Sequence, residues 1–169
     1  AYAALSNGGS LYRPTIARAV VDPGGKVLKE IKPVVERRID STGAALKYVD
    51  QALIGTPRQG TLAWRFVGFP LDQIPIRGKT GSAEVWGKQS TSWVATYTKD
   101  YVVVMMVTQG GTGSGTSGPF VRRIWERLYG VSGSEVKPKQ SIIPGMVPPQ
   151  RLPTFAKDGS ILPPLQAGE

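Results

Sequence analysis

The sequence contains no cysteine and no histidine. That removes disulfide staples, thiol nucleophiles and the usual zinc ligands. It also excludes a Ser-His-Asp triad built within the chain, so any acid-base chemistry here must use other side chains. Long apolar runs are missing as well: the best candidate, Tyr101 to Val107, falls far short of the roughly 20 residues that cross a bilayer. No charged leader or apolar signal core precedes Ala1 to Leu5, which already read as helix. A longer precursor is therefore expected, with any membrane anchor upstream. Acidic residues are in short supply, 12 Asp and Glu against 21 Lys and Arg, for a net charge of +9. Such a balance favours anionic partners. The basic residues are scattered, however, which is the pattern of a solvated surface, and no nucleic-acid partner is expected.

What is present fits a soluble globular chain: 169 residues, 40% hydrophobic and 20% charged, with a single domain as the starting expectation. Ala1 to Leu5 should finish a helix stopped by Ser6-Asn7-Gly8-Gly9, Asn and Gly supplying a left-handed C-cap. Ile16 to Val21 and Lys26 to Ile31 alternate as strands around the turn Asp22-Pro23-Gly24-Gly25. Ser41 or Thr42 should cap a helix carrying Ala45, Leu46, Val49, Leu53 and Ile54 at helical spacing, with Gly55 and Pro57 ending it. Three strands should follow in an antiparallel meander: Ile74 to Val85, Ser92 to Thr98, and Tyr101 to Gln109. Beyond a glycine-rich loop, Gly110 to Gly118, Pro119 opens a helix with Phe120, Val121, Ile124, Trp125 and Leu128 on one face. Arg122, Arg123, Glu126 and Arg127 should face water. From Val131 the chain is Pro-rich, and regular structure is not expected. Ile142, Ile143, Met146, Leu152 and Phe155 could anchor this tail to the body.

The chemistry sits in Arg77-Gly78-Lys79-Thr80-Gly81-Ser82-Ala83-Glu84, which contains a K-T-G triplet. A lysine ammonium here can stabilise a substrate carboxylate and help a neighbouring serine hydroxyl pass on a proton, while adjacent hydroxyls bond the same carboxylate. Gly81 should keep the strand edge open. Alternation sends Lys79 and Thr80 to opposite faces, so both can serve one cleft only if the strand is an edge, where substrate would add alongside. Gly78-Lys79-Thr80 is not the end of a phosphate-binding loop, because Gln73 occupies the required first glycine position. The glycine-rich loop could wrap an anion, but no dinucleotide-binding unit surrounds it, and a flexible loop is the expected reading. Trp86 and Trp93 flank the loop after the motif strand and could line a substrate groove or simply pack.

The order of the blocks carries a resemblance. A helix ending like Ala1 to Gly9, then Pro14, then Gly60-Thr61 and Phe66, then K-T-G followed by Ser-Ala-Glu, a hairpin and a terminal apolar helix resembles the class B penicillin-binding proteins over about residues 1 to 130. Within that family the likeness leans to the elongation-type penicillin-binding protein 2 of high-GC Gram-positive bacteria. The resemblance implies an α+β chain, the C-terminal part of the penicillin-recognising serine transpeptidase fold, an antiparallel sheet with packed helices. Residues 1–130 would belong to the transpeptidase domain and 131–169 to a Pro-rich extension. It further implies that Lys79 and Ser82 are catalytic, Lys79 in proton transfer and electrostatic support, Ser82 through a backbone N–H in the oxyanion hole. Thr80, Gly81, Ser82 and Trp86 would bind substrate, and no cofactor or metal is expected.

The same family needs a Ser-x-x-Lys nucleophile and a Ser-x-Asn element before the triplet, and neither precedes Lys79. Asn7 is the only asparagine, with Leu5 two positions before it. Ser134-Glu135-Val136-Lys137 matches the nucleophile in letters alone, in a Gly- and Pro-rich segment after the triplet. An upstream polypeptide carrying both motifs is therefore the expected partner. Peptidoglycan stem peptides, penicillins and other β-lactams, and a membrane polysaccharide polymerase complete the expected partners, at the extracytoplasmic face of a bacterial membrane. A D,D-carboxypeptidase or serine β-lactamase, which pass the acyl group to water, and a non-catalytic β-lactam sensor remain the alternatives.

Overall fold

The computed structural model describes residues 1–39 and 43–142. The cap expected at Ser41 or Thr42 and the anchors Ile143, Met146, Leu152 and Phe155 lie outside the described residues. Helix α1, Tyr2–Ser6, ends as the sequence suggests, with a difference in who turns the chain. Gly8 and Gly9 take positive φ, whereas Asn7 stays at φ −105° and caps with its side chain, accepting from the Ser10 N–H at 2.8 Å and donating to the Ser10 carbonyl at 2.9 Å.

Two nested antiparallel pairs follow. Strand β1, Ser10–Tyr12, pairs with β4, Val35–Arg38, and between them β2, Ala19–Val21, pairs with β3, Val27–Glu30. The turn joining β2 to β3 is closed by Asp22, whose carboxylate accepts the Lys26 N–H at 2.8 Å.

Helix α2 spans Gly43–Arg58 and does not stop at Gly55 or Pro57. Proline has no N–H to donate, but in the last turn that forfeits one bond only. Pro57 is instead buried, and the terminal carbonyls find other donors: Gly55 accepts from Gln59 and Gly60 at 2.9 Å each, Thr56 from Leu62 at 3.1 Å. The polar connection expected over Gly55 to Gly60 is thus mostly helix.

The meander is present: β5, Arg77–Val85, β6, Lys88–Tyr97, and β7, Val102–Val107, form one antiparallel sheet in that order. Arg77 faces Tyr97 across the first ladder and Ser82 faces Ser92. Helix α3, Gly118–Tyr129, lies over one sheet face and ends at Gly130 in the left-handed conformation. Val121 and Trp125 are fully buried there against Val94 and Val103, and Leu62, Phe66, Phe69, Ile74 and Ile76 close the core. The Trp125 indole donates to Thr96 Oγ1 at 2.8 Å, and that hydroxyl donates to the Val103 carbonyl at 3.1 Å, which pins helix to sheet.

Two expectations for the C-terminal part change. Arg122 is no solvated side chain: its guanidinium donates to the Arg65 and Val67 carbonyls at 2.7 and 2.8 Å and pairs with Glu126 at 2.7 Å. The segment after Gly130 also has regular structure, β8 (Val131–Ser132) pairing with β9 (Glu135–Val136) ahead of a short 3-10 turn, Pro138–Gln140. Glycines make that reversal possible, Gly133 taking φ +65° between the two strands. Ile142 is tied to α3 through its N–H, which donates to the Leu128 carbonyl at 3.1 Å.

Candidate active site

The K-T-G residues occupy the middle of β5, and β5 is an edge strand with only β6 beside it among the described residues. Its two faces are set by their neighbours. Asp50 of α2 accepts from Arg77 Nε at 2.6 Å and from the Tyr97 hydroxyl at 3.0 Å. The face of Arg77, Lys79 and Gly81 is therefore the α2 face. Gly78 pairs with Thr96, whose hydroxyl meets Trp125, so Gly78, Thr80 and Ser82 belong to the α3 face. A Cβ at Gly78 would come within 2.6 Å of Thr96 Cγ2 and 3.0 Å of the Ala95 carbonyl oxygen, so the two strands approach this closely because the residue is glycine.

Lys79 is exposed, and Nζ donates to the Thr80 carbonyl at 3.0 Å. No carboxylate lies within ion-pair distance of it among the described residues. Thr80 Oγ1 shares a 2.8 Å hydrogen bond with Thr61 Oγ1, from the segment after α2. Ser82 Oγ accepts the Gly113 N–H at 3.3 Å. The ammonium and the two hydroxyls thus line one open strand edge, from opposite sheet faces.

Gly81 meets nothing tight: a Cβ there would touch Trp93 Cβ at 3.4 Å, an ordinary contact. The steric demand falls on Gly113 instead. A Cβ on Gly113 would sit 2.4 Å from the Trp93 carbonyl oxygen, 2.7 Å from that of Gly81 and 3.0 Å from the Gly81 nitrogen. The glycine-rich loop is accordingly no loose linker. It forms a single π-helical turn, Gly113–Ser117, against the motif strand. Buried Ser92 and Ser117 hydroxyls bond at 2.7 Å, Ser92 Oγ donates to the Thr112 carbonyl at 2.9 Å, and Arg65 donates to the Ser114 and Gly115 carbonyls at 3.1 and 2.8 Å.

Trp86 sits in the β5–β6 turn with its side chain wholly exposed, and Trp93 is 40% exposed, so neither is a packed core residue. Tyr97 is buried beside Asp50. Burial, then the hydrogen bond to Asp50, push its phenol well above the ordinary 10.0, which keeps it a donor. Thr61 and Gly113 escaped sequence reasoning. Both lie far along the chain from the residues they touch, and only the Gly60-Thr61 block hinted at the first.

The antiparallel sheet with its packed helices makes this an α+β chain of the penicillin-binding transpeptidase fold, as the comparisons with known proteins bear out. The family model described as the penicillin-binding protein transpeptidase domain matches residues 1–126, and the chain belongs to that family. Among solved structures, the chain is similar to Pseudomonas aeruginosa PBP2 in complex with WCK 5153, with TM-score 0.62 and 20% identity over 83% of this chain. It is also similar to penicillin-binding protein A from M. tuberculosis, an imipenem acyl-enzyme complex, with TM-score 0.59 and 19% identity over 73% of the chain. A third likeness is to penicillin-binding protein 2B of Streptococcus pneumoniae strain R6, with TM-score 0.57 and 16% identity over 78% of the chain. The chain covers 31%, 28% and 24% of those three proteins in the same order. No curated protein matches the sequence. No helix among the described residues is long and apolar enough to cross a membrane.

Proposed function

We propose that this chain supplies the K-T-G edge strand of a class B serine D,D-transpeptidase, of the elongation type, acting on peptidoglycan at the extracytoplasmic face of a bacterial membrane. The observation that carries the reading is that, among the described residues, no strand pairs on the outer edge of β5, the strand of Lys79, Thr80 and Ser82, so an extended peptide can add there. The Lys79 ammonium and the Thr80 and Ser82 hydroxyls hold the terminal carboxylate of a stem peptide or β-lactam, charge-assisted bonds of about 1.5–3 kcal/mol each. A serine on a separate, upstream segment attacks the penultimate D-Ala carbonyl. The Ser82 N–H stabilises the resulting oxyanion, and collapse expels the terminal D-Ala, whose amine takes up the proton the serine hydroxyl gave up, with Lys79 supporting that transfer. An amine of a second stem peptide then takes the acyl group and returns the serine, completing a cross-link. A membrane polysaccharide polymerase supplies the glycan strands. Trp86, at the hairpin tip, offers an aromatic contact to the far end of the bound peptide.

The test compares the 169-residue chain with the product that also carries the upstream segment, each incubated with a fluorescent penicillin. The chain alone stays unlabelled and the longer product acquires one adduct on a serine outside this sequence. Lys79→Ala in the longer product slows acylation by at least about a hundredfold. Labelling of the isolated chain, or an unchanged acylation rate for Lys79→Ala, overturns the reading. Rapid loss of the adduct to water, with no joining of stem peptides, marks a hydrolase instead.

A further inference from the structure

From Leu11 to Ile39 no residue is buried. The β1–β4 pair forms the base of this segment and the β2–β3 hairpin its outer part, with every residue of β3 and β4 exposed. The main packing of β2 is with β3 and of β3 with β2. A two-stranded hairpin without a third strand or a covering helix is marginal in water. This one exposes apolar side chains besides, including Leu28 at 63%, Val20, Val27 and Ile16. Its charge is lopsided: between Arg13 and Arg38 there are seven Lys and Arg against three carboxylates. None of the ion pairs among the described residues falls in the segment.

We propose that this arm is a docking surface for an acidic, strand-forming protein segment that adds to an open edge of β2–β3. Three features select that partner. Among the described residues no strand pairs on either outer edge of β2–β3, which leaves main-chain groups that a polypeptide can match and a lipid headgroup or a nucleic acid cannot. The exposed Val20, Val27 and Leu28 side chains reward a partner that brings apolar side chains of its own. The surplus of cations repels a second copy of the same arm and attracts carboxylates. The turn works against membrane entry, since it places the Asp22 carboxylate, held on the Lys26 amide, at the tip. This surface is separate from the β5 edge, and its recognition does not depend on what the K-T-G strand does.

The test uses the whole chain, isotope-labelled, titrated with a short peptide alternating Glu and Val. The expected result is amide shift changes confined to β2 and β3. Binding weakens roughly tenfold when Arg18, Lys26, Lys29 and Lys32 are all changed to Glu, and again in high salt. Val27→Pro, which removes one edge donor and leaves the charge unchanged, separates strand addition from simple attraction: the peptide is lost in this variant too. Unchanged shifts in β5 to β7 certify that both variants remain folded. Equal binding of oligo-dT or of anionic vesicles overturns the proposal in favour of a general polyanion site. No shift in the arm overturns it outright, as does protection of the arm by the upstream segment in the longer product.

Discussion

Gly113→Ala tests whether the glycine-rich loop holds the motif strand. The added methyl would stand 2.4 Å from the Trp93 carbonyl oxygen and 2.7 Å from that of Gly81. Carbon and oxygen settle at about 3.3 Å or more, so the loop or the strand must retreat by about 0.9 Å. Overpacking of this kind costs about 1–3 kcal/mol. The retreat also stretches the 3.3 Å bond from Gly113 N–H to Ser82 Oγ, a further loss of about 1 kcal/mol. Together these give about 2–4 kcal/mol, or a fall of roughly 10 °C in Tm for a chain of this size. Gly55→Ala supplies the opposite sign. Gly55 lies inside α2 and an added Cβ meets only Gln59 Nε2 at 3.6 Å, so this exchange should stabilise by about 0.5–1 kcal/mol. Urea unfolding of both variants measures the pair, and amide shifts at Gly81 and Ser82 report the displaced strand. If Gly113→Ala unfolds at the wild-type midpoint with those shifts unmoved, the loop does not brace the motif strand.

Three further outcomes follow from contacts described above. Thr96→Val keeps the shape but leaves the buried Trp125 indole N–H without its acceptor, for a loss of about 2–3 kcal/mol by thermal unfolding. Tyr97 and Tyr129 both have phenols raised above the ordinary 10.0, burial being the main cause. Stability should hold up to about pH 10 and decline above it, because the unfolded chain releases those protons first; the decline should be shallower in Tyr97→Phe, followed by circular dichroism against pH. Arg122→Lys keeps the charge but loses the guanidinium that reaches the Arg65 and Val67 carbonyls through Nη1 while Nε holds Glu126, and should lower stability by about 1 kcal/mol. A Tm within experimental error of wild type would remove Arg122 as a latch.

The meander was legible because period-two runs separated by Lys99-Asp100 leave little choice of topology, and α3 because Pro119 and Gly130 bracket an apolar stripe. The edge position of the K-T-G strand was legible too, as a condition that alternation imposes on Lys79 and Thr80. What the sequence concealed depends on contacts distant along the chain. Pro57 looks like a terminator until its ring is seen buried in the last turn of α2. Arg122 has the spacing of a solvated residue, and only the fold brings two carbonyls, from Arg65 and Val67, under its guanidinium. Glycines suggested slackness at 110–118, whereas Gly113 is there because two backbones have no room for a methyl group. In the tail, strand pairs only two residues long carry no periodicity to detect.

The border formed by β7 has one more outcome. Val102-Val103-Val104-Met105-Met106-Val107 holds no charge and no proline, and no strand pairs along its outer side among the described residues. Natural proteins seldom leave such a margin bare, since it accepts any extended neighbour, including its own twin. At high concentration that seam is where strand-on-strand self-association is expected to begin, to be read by light scattering against concentration. Dilution, or a charged residue placed on the outer side of β7, is expected to keep the molecule discrete.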